Sequence, residues 1–241
     1  MQHHRKILTS VVQFVPSRHP TLVVASPGRS GSSMLFIELA RAMSKERFGV
    51  GSTYLKDFAW DLSAKKLRRG MVYKTHDYPD ALYGRESVRC VFVFGSAIDS
   101  VISTLKQEKI KGQGWIAAHL AHLKSDGEFR DVVQRDVLGI LPQITAWSTF
   151  ESCPVLCVRY EALWDAERQI REFTDLPFEL PVWRARQSKG RSGVMLDQVR
   201  RNYALIDAKI GRLPDIFVAE KRMGDLLEAN TLELISNSES K

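Results

Sequence analysis

Three short stretches of the chain carry residues whose types and spacing could do chemistry. Residues 23–35 read VVASPGRSGSSML, a β-branched run followed by a loop rich in Gly and Ser. Residues 73–79 read YKTHDYP, and residues 94–103 read FGSAIDSVIS. Loops like the first commonly bind phosphate, because a helix that begins there directs free N–H groups at an anion. The first stretch therefore predicts an anion site.

The first loop lacks the lysine of a nucleoside-triphosphate loop. With the second Gly of G-x-x-x-x-G-K-[ST] placed on Gly31, Ser32 stands where the Lys belongs and Ser26 replaces the first Gly. A G-x-G-x-x-G dinucleotide pattern is absent too. Arg29 offers a planar guanidinium that can reach a phosphate, or a bridging oxygen that gains charge as a group departs. The alternative is a tight strand–helix turn with a surface Arg.

The other two stretches add a base, a second cation and a hydroxyl. Lys74 ends a predicted strand, and His76 lies just beyond it, at the edge where open α/β sheets bind ligands. A His there could act as a general base, and Lys74 could neutralise a leaving group. Asp99 and Ser103, four residues apart, share one face of the next predicted helix. The plainer alternatives are a turn His, a solvated Lys and a packed mid-helix Ser.

The order and spacing of these stretches resemble those of sulfotransferases that use 3′-phosphoadenosine 5′-phosphosulfate (PAPS). The family's first loop, roughly [KR]-[SA]-G-[TS]-[TS]-x-L, corresponds to RSGSSML at 29–35. Its K-T-H block corresponds to KTH at 74–76. Its third block, a buried strand and R-[DN]-P-x-D-x-x-x-S, corresponds to CVFVF with Asp99 and Ser103.

Two later blocks extend the resemblance to about residues 21–193. The family often shows a Trp and then an apolar strand that ends in R-Y-E-D-L. Here Trp147 precedes PVLCVRYEAL at 154–163. The family's R-K-G-x-x-G corresponds to SKGRSG at 188–193, which matches from the Lys onward. Each motif is weak alone, and their joint order is more specific.

The resemblance implies sulfuryl transfer from PAPS to a hydroxyl or amine of a small-molecule, glycan or lipid acceptor. His76 would take the acceptor's proton, while Lys74 and Arg29 would stabilise charge on the sulfuryl group and the leaving phosphate oxygen. No metal and no nucleic acid are implied. The residues that would hold PAPS are Arg29, Ser30, Gly31, Ser32, Ser33, Ser103, Lys189, Gly190 and Arg191.

The chain departs from the family pattern at two positions. Gly95 stands where the third block has Arg, and Ser188 stands where the last block has Arg. Both arginines would normally contact the 3′-phosphate, and each such bond contributes roughly 1.5–3 kcal/mol when well formed. Four cations could compensate, namely Lys189, Arg191, Arg186 and Arg89. Otherwise PAPS binds weakly, or its 3′-phosphate is not recognised.

Two other functions remain open at the level of the sequence. An ATP-dependent small-molecule phosphotransferase would explain the first loop and the missing arginines, although the Lys and an evident magnesium carboxylate are lacking. A non-catalytic nucleotide-binding relative is the other, against which the presence of Arg29, Lys74, His76 and Ser103 counts. The net charge of +7 suits a polyanionic ligand, a solvated basic surface or nucleic acid.

The elements that must position these residues alternate between strand and helix. Apolar runs predict strands at 22–26, 71–74, 88–94 and 155–159, and helical spacing predicts helices at 32–44, 115–124, 128–151, 161–174, 214–228 and 230–236, with another that begins at SAID, 96–99. Ser30 or Ser32 could cap the helix at 32–44, and Pro142 should kink or divide the helix at 128–151. Residues 184–201 have no strong period and predict a surface loop. This pattern predicts a single α/β domain over 1–241, a parallel sheet flanked by helices, and the resemblance implies the P-loop-like fold of sulfotransferases.

Composition sets the remaining expectations. The chain has 241 residues, and its three cysteines lie in apolar, strand-like runs, which predicts buried free thiols and a cytoplasmic location. We expect no signal peptide and no membrane-spanning segment. Aromatic residues at 54–60 and near Trp115 could face an acceptor or belong to the core. His119 and His122 have no third partner for a metal. The oligomeric state stays open.

Overall fold

One six-stranded sheet forms the centre of the computed structural model, which describes residues 17–51, 54–183 and 193–229. The strand order is β2-β3-β1-β4-β5-β6. The first five strands are parallel, and β6 runs antiparallel to β5. The strands are β1 (Thr21–Ala25), β2 (Lys56–Phe58), β3 (Val72–Thr75), β4 (Val88–Phe94), β5 (Val155–Arg159) and β6 (Ile216–Val218).

Seven α-helices flank this sheet within the described residues. They are α1 (Ser32–Phe48), α2 (Ala97–Lys111), α3 (Gln113–His122), α4 (Ile140–Ser148), α5 (Glu167–Thr174), α6 (Val194–Ile210) and α7 (Arg222–Glu228). The chain is therefore α/β, as the alternation of apolar runs and helical spacing predicts. Across the described ranges, no helix combines the length and the apolar character needed to cross a bilayer.

The sheet centre consists of strands that are buried on both faces. Every residue of β1 and β3 is buried, and so is every residue of β4 except Arg89. Such strands occur where helices cover both sides of a parallel sheet. In the register between β1 and β3, Ala25 lies opposite Thr75, so the next residues along the two strands, Ser26 and His76, leave the sheet side by side.

The strands at 88–94 and 155–159 begin and end at the predicted residues, and those at 22–26 and 71–74 are confirmed within one residue. The helix that begins at SAID is also confirmed. Ser96 is its N-cap, and the Ser96 side chain accepts a hydrogen bond from the Asp99 N–H. Helices near 32–44 and 115–124 are present as α1 and α3. The first continues to Phe48, where Gly49 caps it in a left-handed conformation.

Several predicted boundaries are wrong. Residues 128–151 are not one helix, because a 3₁₀ turn at Phe129–Asp131 is separated from α4 by an irregular segment. Pro142 neither kinks nor divides α4, since it lies in the first turn, where no intrahelical N–H is required. In place of the predicted helix at 161–174, the chain forms a 3₁₀ turn at Tyr160–Ala162 and then the shorter α5.

The prediction of a loop at 184–201 is also wrong for its second half, because α6 begins at Val194. The predicted helix at 214–228 is instead β6 followed by α7, and the short edge strand β2 was not predicted. Residues 184–192 and 230–241 lie outside the described residues, and with them the cofactor-binding prediction for Lys189, Gly190 and Arg191 and the predicted helix at 230–236.

Candidate functional site

A pocket of about 650 Å³ lies where β1 and β3 end and α1 begins. The carboxyl ends of parallel strands meet at this edge, which is the usual ligand edge of an open α/β sheet. The pocket brings together six of the predicted site residues that carry side-chain chemistry. They are Arg29, Ser32, Ser33, Lys74, His76 and, from α2, Ser103.

The loop after β1 presents the positive end of α1 to this pocket. Gly28, Arg29 and Gly31 all have positive φ, at 90°, 57° and 79°. Gly31 is the N-cap of α1, no side chain caps the helix, and its first turn contains no acidic residue. The predicted capping by Ser30 or Ser32 is therefore wrong. A helix start with open N–H groups and no local carboxylate favours an anion.

A side chain at Gly31 would collide with an aromatic ring beside this helix start. A Cβ atom there would lie 2.3 Å from two ring carbons of Tyr160, which follows β5. The backbone of the loop therefore comes into direct contact with an aromatic ring. This close approach, together with the left-handed conformation, requires glycine at this position.

The three serines of the loop have different roles. The Oγ of Ser30 donates to the carbonyl of Val93 at 2.8 Å, so only its backbone N–H could contact an anion. The Oγ atoms of Ser32 and Ser26 are 2.8 Å apart. Ser33 Oγ accepts a 2.8 Å hydrogen bond from Lys74 Nζ. Ser32 and Ser33 line the pocket, whereas the side chain of Ser30 fixes the loop to β4.

Lys74 is a buried cation at the pocket floor. Its side chain packs near Trp60, with Nζ 5.9 Å from the indole ring centre. Burial, with a smaller contribution from the charge of Arg29, lowers the pKa of Lys74 to about 8. The ammonium is therefore still mostly charged at neutral pH, and its desolvation strengthens its attraction for an anion.

His76 has a defined tautomer. Its Nδ1 lies 2.8 Å from the carbonyl oxygen of Ser26, an acceptor, so Nδ1 carries the hydrogen and donates it. This leaves the lone pair on Nε2, and the imidazole lines the pocket. Burial, followed by the charge of Lys74, lowers the pKa of His76 well below its usual value. The ring is neutral at pH 7 and can accept a proton.

Two buried residues of α4 hold the backbone that carries this imidazole. Gln143 Nε2 donates to the His76 carbonyl at 2.9 Å, and Trp147 Nε1 donates to the Asp77 carbonyl at 3.0 Å. The Asp77 carboxylate pairs with Lys124 at 2.7 Å, which connects the strand end to the turn after α3. The sequence marks Trp147 only through the family resemblance and does not connect it or Gln143 with His76, because these contacts depend on tertiary packing.

Arg29 and Ser103 are in direct contact. Arg29 Nε donates to Ser103 Oγ at 3.0 Å, so the loop and α2 meet across the pocket. Asp99 and Lys106, one turn before and after Ser103, also line the pocket, as does Lys111 at the end of the helix. Lys106 and Lys111 are not among the predicted site residues, although helical spacing from Ser103 places Lys106 on this face.

Indole and imidazole rings form another wall of the pocket. Trp60 stacks on His122 with ring centres 4.3 Å apart and on His76 at 5.3 Å, and Trp115 stacks on His119 at 4.8 Å. We call Trp60, Trp115, His119 and His122 the aromatic wall. Burial is the largest cause that lowers the pKa of His119, to about 4, and its buried Nε2 has no hydrogen-bond partner among the residues that the structure describes.

Other predicted site residues are not brought to the pocket. Arg89 lies near the start of β4, at the opposite edge of the sheet, and donates to the carbonyl of Phe173 at 2.8 Å, so it does not replace the missing arginines. Gly95 lies near Glu161, whose carboxylate oxygen would be 3.6 Å from a Cβ at that position. Among the described residues, no group of three or more His, Cys, Asp or Glu side chains could hold a metal ion.

Asp207 of α6 occupies the N-terminus of α2. Its carboxylate accepts from Ser96 Oγ at 2.7 Å and from the Ala97 N–H at 2.5 Å. The positive end of α2 is thus neutralised from within the chain, unlike that of α1. Of these two helix starts, only that of α1 is left open to an anion.

Comparison of the chain with models of protein families and with curated proteins finds no match.

Proposed function

We propose that this chain is a sulfotransferase that uses PAPS, with the P-loop-like sulfotransferase fold. The observation that carries the proposal is the arrangement at the sheet edge. A neutral His76, a buried Lys74 and Arg29 surround one pocket at the uncapped start of α1. The family resemblance of the same residues supports this reading. The α/β sheet with its anion loop after β1 agrees with that fold.

The pocket has the chemistry that PAPS requires. The 5′-phosphate suits the N–H groups of Gly31, Ser32 and Ser33 and the side chains of Arg29 and Lys74. The lining contains four Lys and Arg side chains (Arg29, Lys74, Lys106 and Lys111) and a single carboxylate, Asp99. The 3′-phosphate would be held by Ser103 and the cations beside it on α2. When bound, PAPS supplies an activated sulfuryl group on its 5′-phosphate.

The roles of the protein residues follow from their charge states. His76 Nε2 accepts the proton of an acceptor hydroxyl or amine as the acceptor attacks, while Nδ1 keeps the ring oriented through Ser26. Lys74 and Arg29 stabilise negative charge that develops on the transferring group and on the departing phosphate oxygen. The aromatic wall, beside His76, is where the acceptor would bind.

A calorimetric comparison tests this function. Adenosine 3′,5′-bisphosphate, ADP and ATP with magnesium are titrated into the protein under one set of conditions. Preference for the bisphosphate supports sulfuryl transfer. Preference for magnesium-ATP would instead support a phosphotransferase. Equal, weak and salt-sensitive binding of all three indicates a general polyanion surface and contradicts the proposal.

A substitution tests the catalytic base. We expect His76→Ala to lower the rate of sulfate transfer from radiolabelled PAPS by about 10²–10⁴-fold, because general-base catalysis typically contributes this much. Binding of the bisphosphate should change little. His19→Gln is the control, since His19 is buried like His76 but does not line the pocket. A near-normal transfer rate in His76→Ala would show that another group takes the proton.

A further inference from the structure

Two cysteines meet at the edge of the sheet opposite the pocket. Cys90 is in the first half of β4, and Cys153 lies just before β5. Their Sγ atoms are 3.8 Å apart, although 63 positions separate them in the chain. The Cys90 N–H donates to the carbonyl of Pro154 at 2.9 Å, which fixes the two main-chain segments side by side. The thiols are therefore held in contact by the sheet itself.

A second cavity, of about 710 Å³, leads to this pair from the surface. Cys153 lines the cavity together with Glu86, Glu151 and Val218. Cys90 is fully buried behind Cys153. A reagent that enters the cavity therefore meets Cys153 first and can reach Cys90 only through it.

The three cysteines differ in thiol pKa and in access to the cavity, and both differences favour reaction at Cys153. A hydrogen bond with Cys90 lowers the pKa of Cys153, whereas burial raises the pKa values of Cys90 and Cys157. The thiolate is the nucleophilic form of a cysteine. Cys157, whose Sγ lies 4.0 Å from the carbonyl of Trp147, is fully buried and does not line the cavity.

We propose that Cys153 and Cys90 form a dithiol modification site for small disulfides that enter this cavity. The Cys153 thiolate attacks one sulfur of the disulfide, which forms a mixed disulfide and releases one thiolate. The Cys90 sulfur then attacks Cys153 Sγ, and the Cys90 proton passes to the departing half of the small disulfide. A Cys90–Cys153 disulfide forms and the second thiol leaves. Two electrons pass from the protein to the small disulfide, whose two halves leave as thiols.

Charges at the cavity suit a cationic disulfide. Glu86 and Glu151 are exposed carboxylates of the lining, and Lys221 lies 3.6 Å from Glu151 and balances part of their charge. Cystamine, a small disulfide with two ammonium groups, is therefore a suitable probe. The site is remote from the first pocket, so this proposal does not depend on sulfuryl transfer.

The test is to treat the folded, reduced protein with cystamine, block free thiols with an alkylating reagent and map peptides by mass spectrometry. We expect a Cys90–Cys153 disulfide, with Cys157 alkylated only after denaturation. Cys153 should react at least about tenfold faster than Cys157. An unmodified Cys153, a mixed disulfide that never closes onto Cys90, or equal reaction of Cys153 and Cys157 would overturn the proposal.

Two single variants separate the steps. In Cys90→Ala the reaction should stop at the mixed disulfide on Cys153, because the second thiol is gone. In Cys157→Ala, the matched control, the Cys90–Cys153 disulfide should form as in the unchanged protein. Circular dichroism establishes that each variant is folded, and the result on the unchanged protein decides the proposal even if a variant fails to fold.

Discussion

At the scale of single residues, Lys74 and His76 show how two neighbours reach different charge states. Burial lowers the pKa of both side chains. Because the pKa of a free lysine is far above 7, lowering it to about 8 leaves most of the Lys74 population charged at neutral pH. The pKa of a histidine begins near neutrality, so the same effect makes His76 neutral. One environment thus provides a cation and a base.

The shifted pKa of Lys74 predicts proton uptake when an anion binds. Near pH 8.5 much of Lys74 is neutral in the free protein, since its pKa is about 8. A bound phosphate favours the ammonium and raises this pKa, so adenosine 3′,5′-bisphosphate should bind with uptake of about half a proton or more. Calorimetry in buffers of different ionisation enthalpy measures this number.

The matched control is Lys74→Arg, which keeps the charge but cannot lose its proton in this range. We expect uptake at pH 8.5 to disappear in this variant, while some affinity remains. In the unchanged protein, uptake should also fall as the pH is lowered to 7, because Lys74 is then already charged. Identical uptake in both proteins would assign the proton to another group.

At the scale of elements, the start of α1 depends on Gly31, which has no Cβ atom and adopts a left-handed conformation. Gly31 has a φ of 79°, and a Cβ there would lie 2.3 Å from the ring of Tyr160. Gly31→Ala should therefore lower the free energy of unfolding through two separate effects. The left-handed backbone costs about 1–2 kcal/mol for a residue with a Cβ, and overpacking adds typically 1–3 kcal/mol.

A double-mutant cycle with Tyr160→Ala separates these effects. Removal of the ring relieves the collision but not the backbone strain, so the two substitutions together should destabilise by less than the sum of their single effects. Urea unfolding of the four proteins gives the coupling free energy. Additive effects would show that the loop moves away from the ring without cost. Gly49→Ala is the control, since its φ is 70° and no atom lies within 4 Å of its Cβ position.

The elements also show what can be predicted from sequence. Continuous apolar runs identified β1, β3, β4 and β5, because a strand that is buried on both faces has apolar residues at successive positions and does not alternate with polar ones. The short strand β2, whose residues are partly exposed, gave no such signal. The predicted helix at 128–151 failed because buried residues in irregular segments, such as Val137 and Leu138, imitate helical spacing.

The residues of the site also fall into those that could be predicted from the sequence and those that could not. Lys74, His76 and Arg29 could be found because strand ends and a Gly-rich loop mark the ligand edge of the sheet. Gln143, which supports the His76 backbone, could not be found, and Trp147 was marked only by the family resemblance, since nothing local connects either side chain with His76. The hydrogen bond of the Ser30 side chain could not be predicted for a similar reason, because its partner, Val93, belongs to a distant strand.

At the scale of the whole molecule, the edge of the sheet that holds the pocket combines cations with neutral imidazoles. Three neutral histidines, His76, His119 and His122, line the pocket beside Lys74 and Arg29. Burial and these cations together lower the histidine pKa values. The arrangement favours an anionic ligand. It also makes protonation of these three histidines unfavourable in the free protein. The stability of the fold should therefore depend on pH.

This dependence predicts loss of stability in mild acid. The pKa of His119 falls from 6.5 in the unfolded chain to about 4 in the folded protein. Between these values the unfolded chain binds more protons, so the free energy of unfolding decreases as the pH falls through 6.5 toward 4. Near pH 4.5 the contribution of His119 alone is about 2–3 kcal/mol. His119→Phe keeps a ring against Trp115 and should remove this part of the acid sensitivity.

Urea unfolding at pH 7 and pH 4.5 measures the effect as a difference between proteins. The carboxylates are common to both, so their titration cancels when the pH-dependent change of the variant is subtracted from that of the unchanged protein. His122→Phe is the matched control, and it should retain more of the acid sensitivity because His122 is less buried than His119. If His119→Phe and the unchanged protein lose equal stability between the two pH values, His119 is not held neutral by burial. The environment inferred for the aromatic wall would then be wrong.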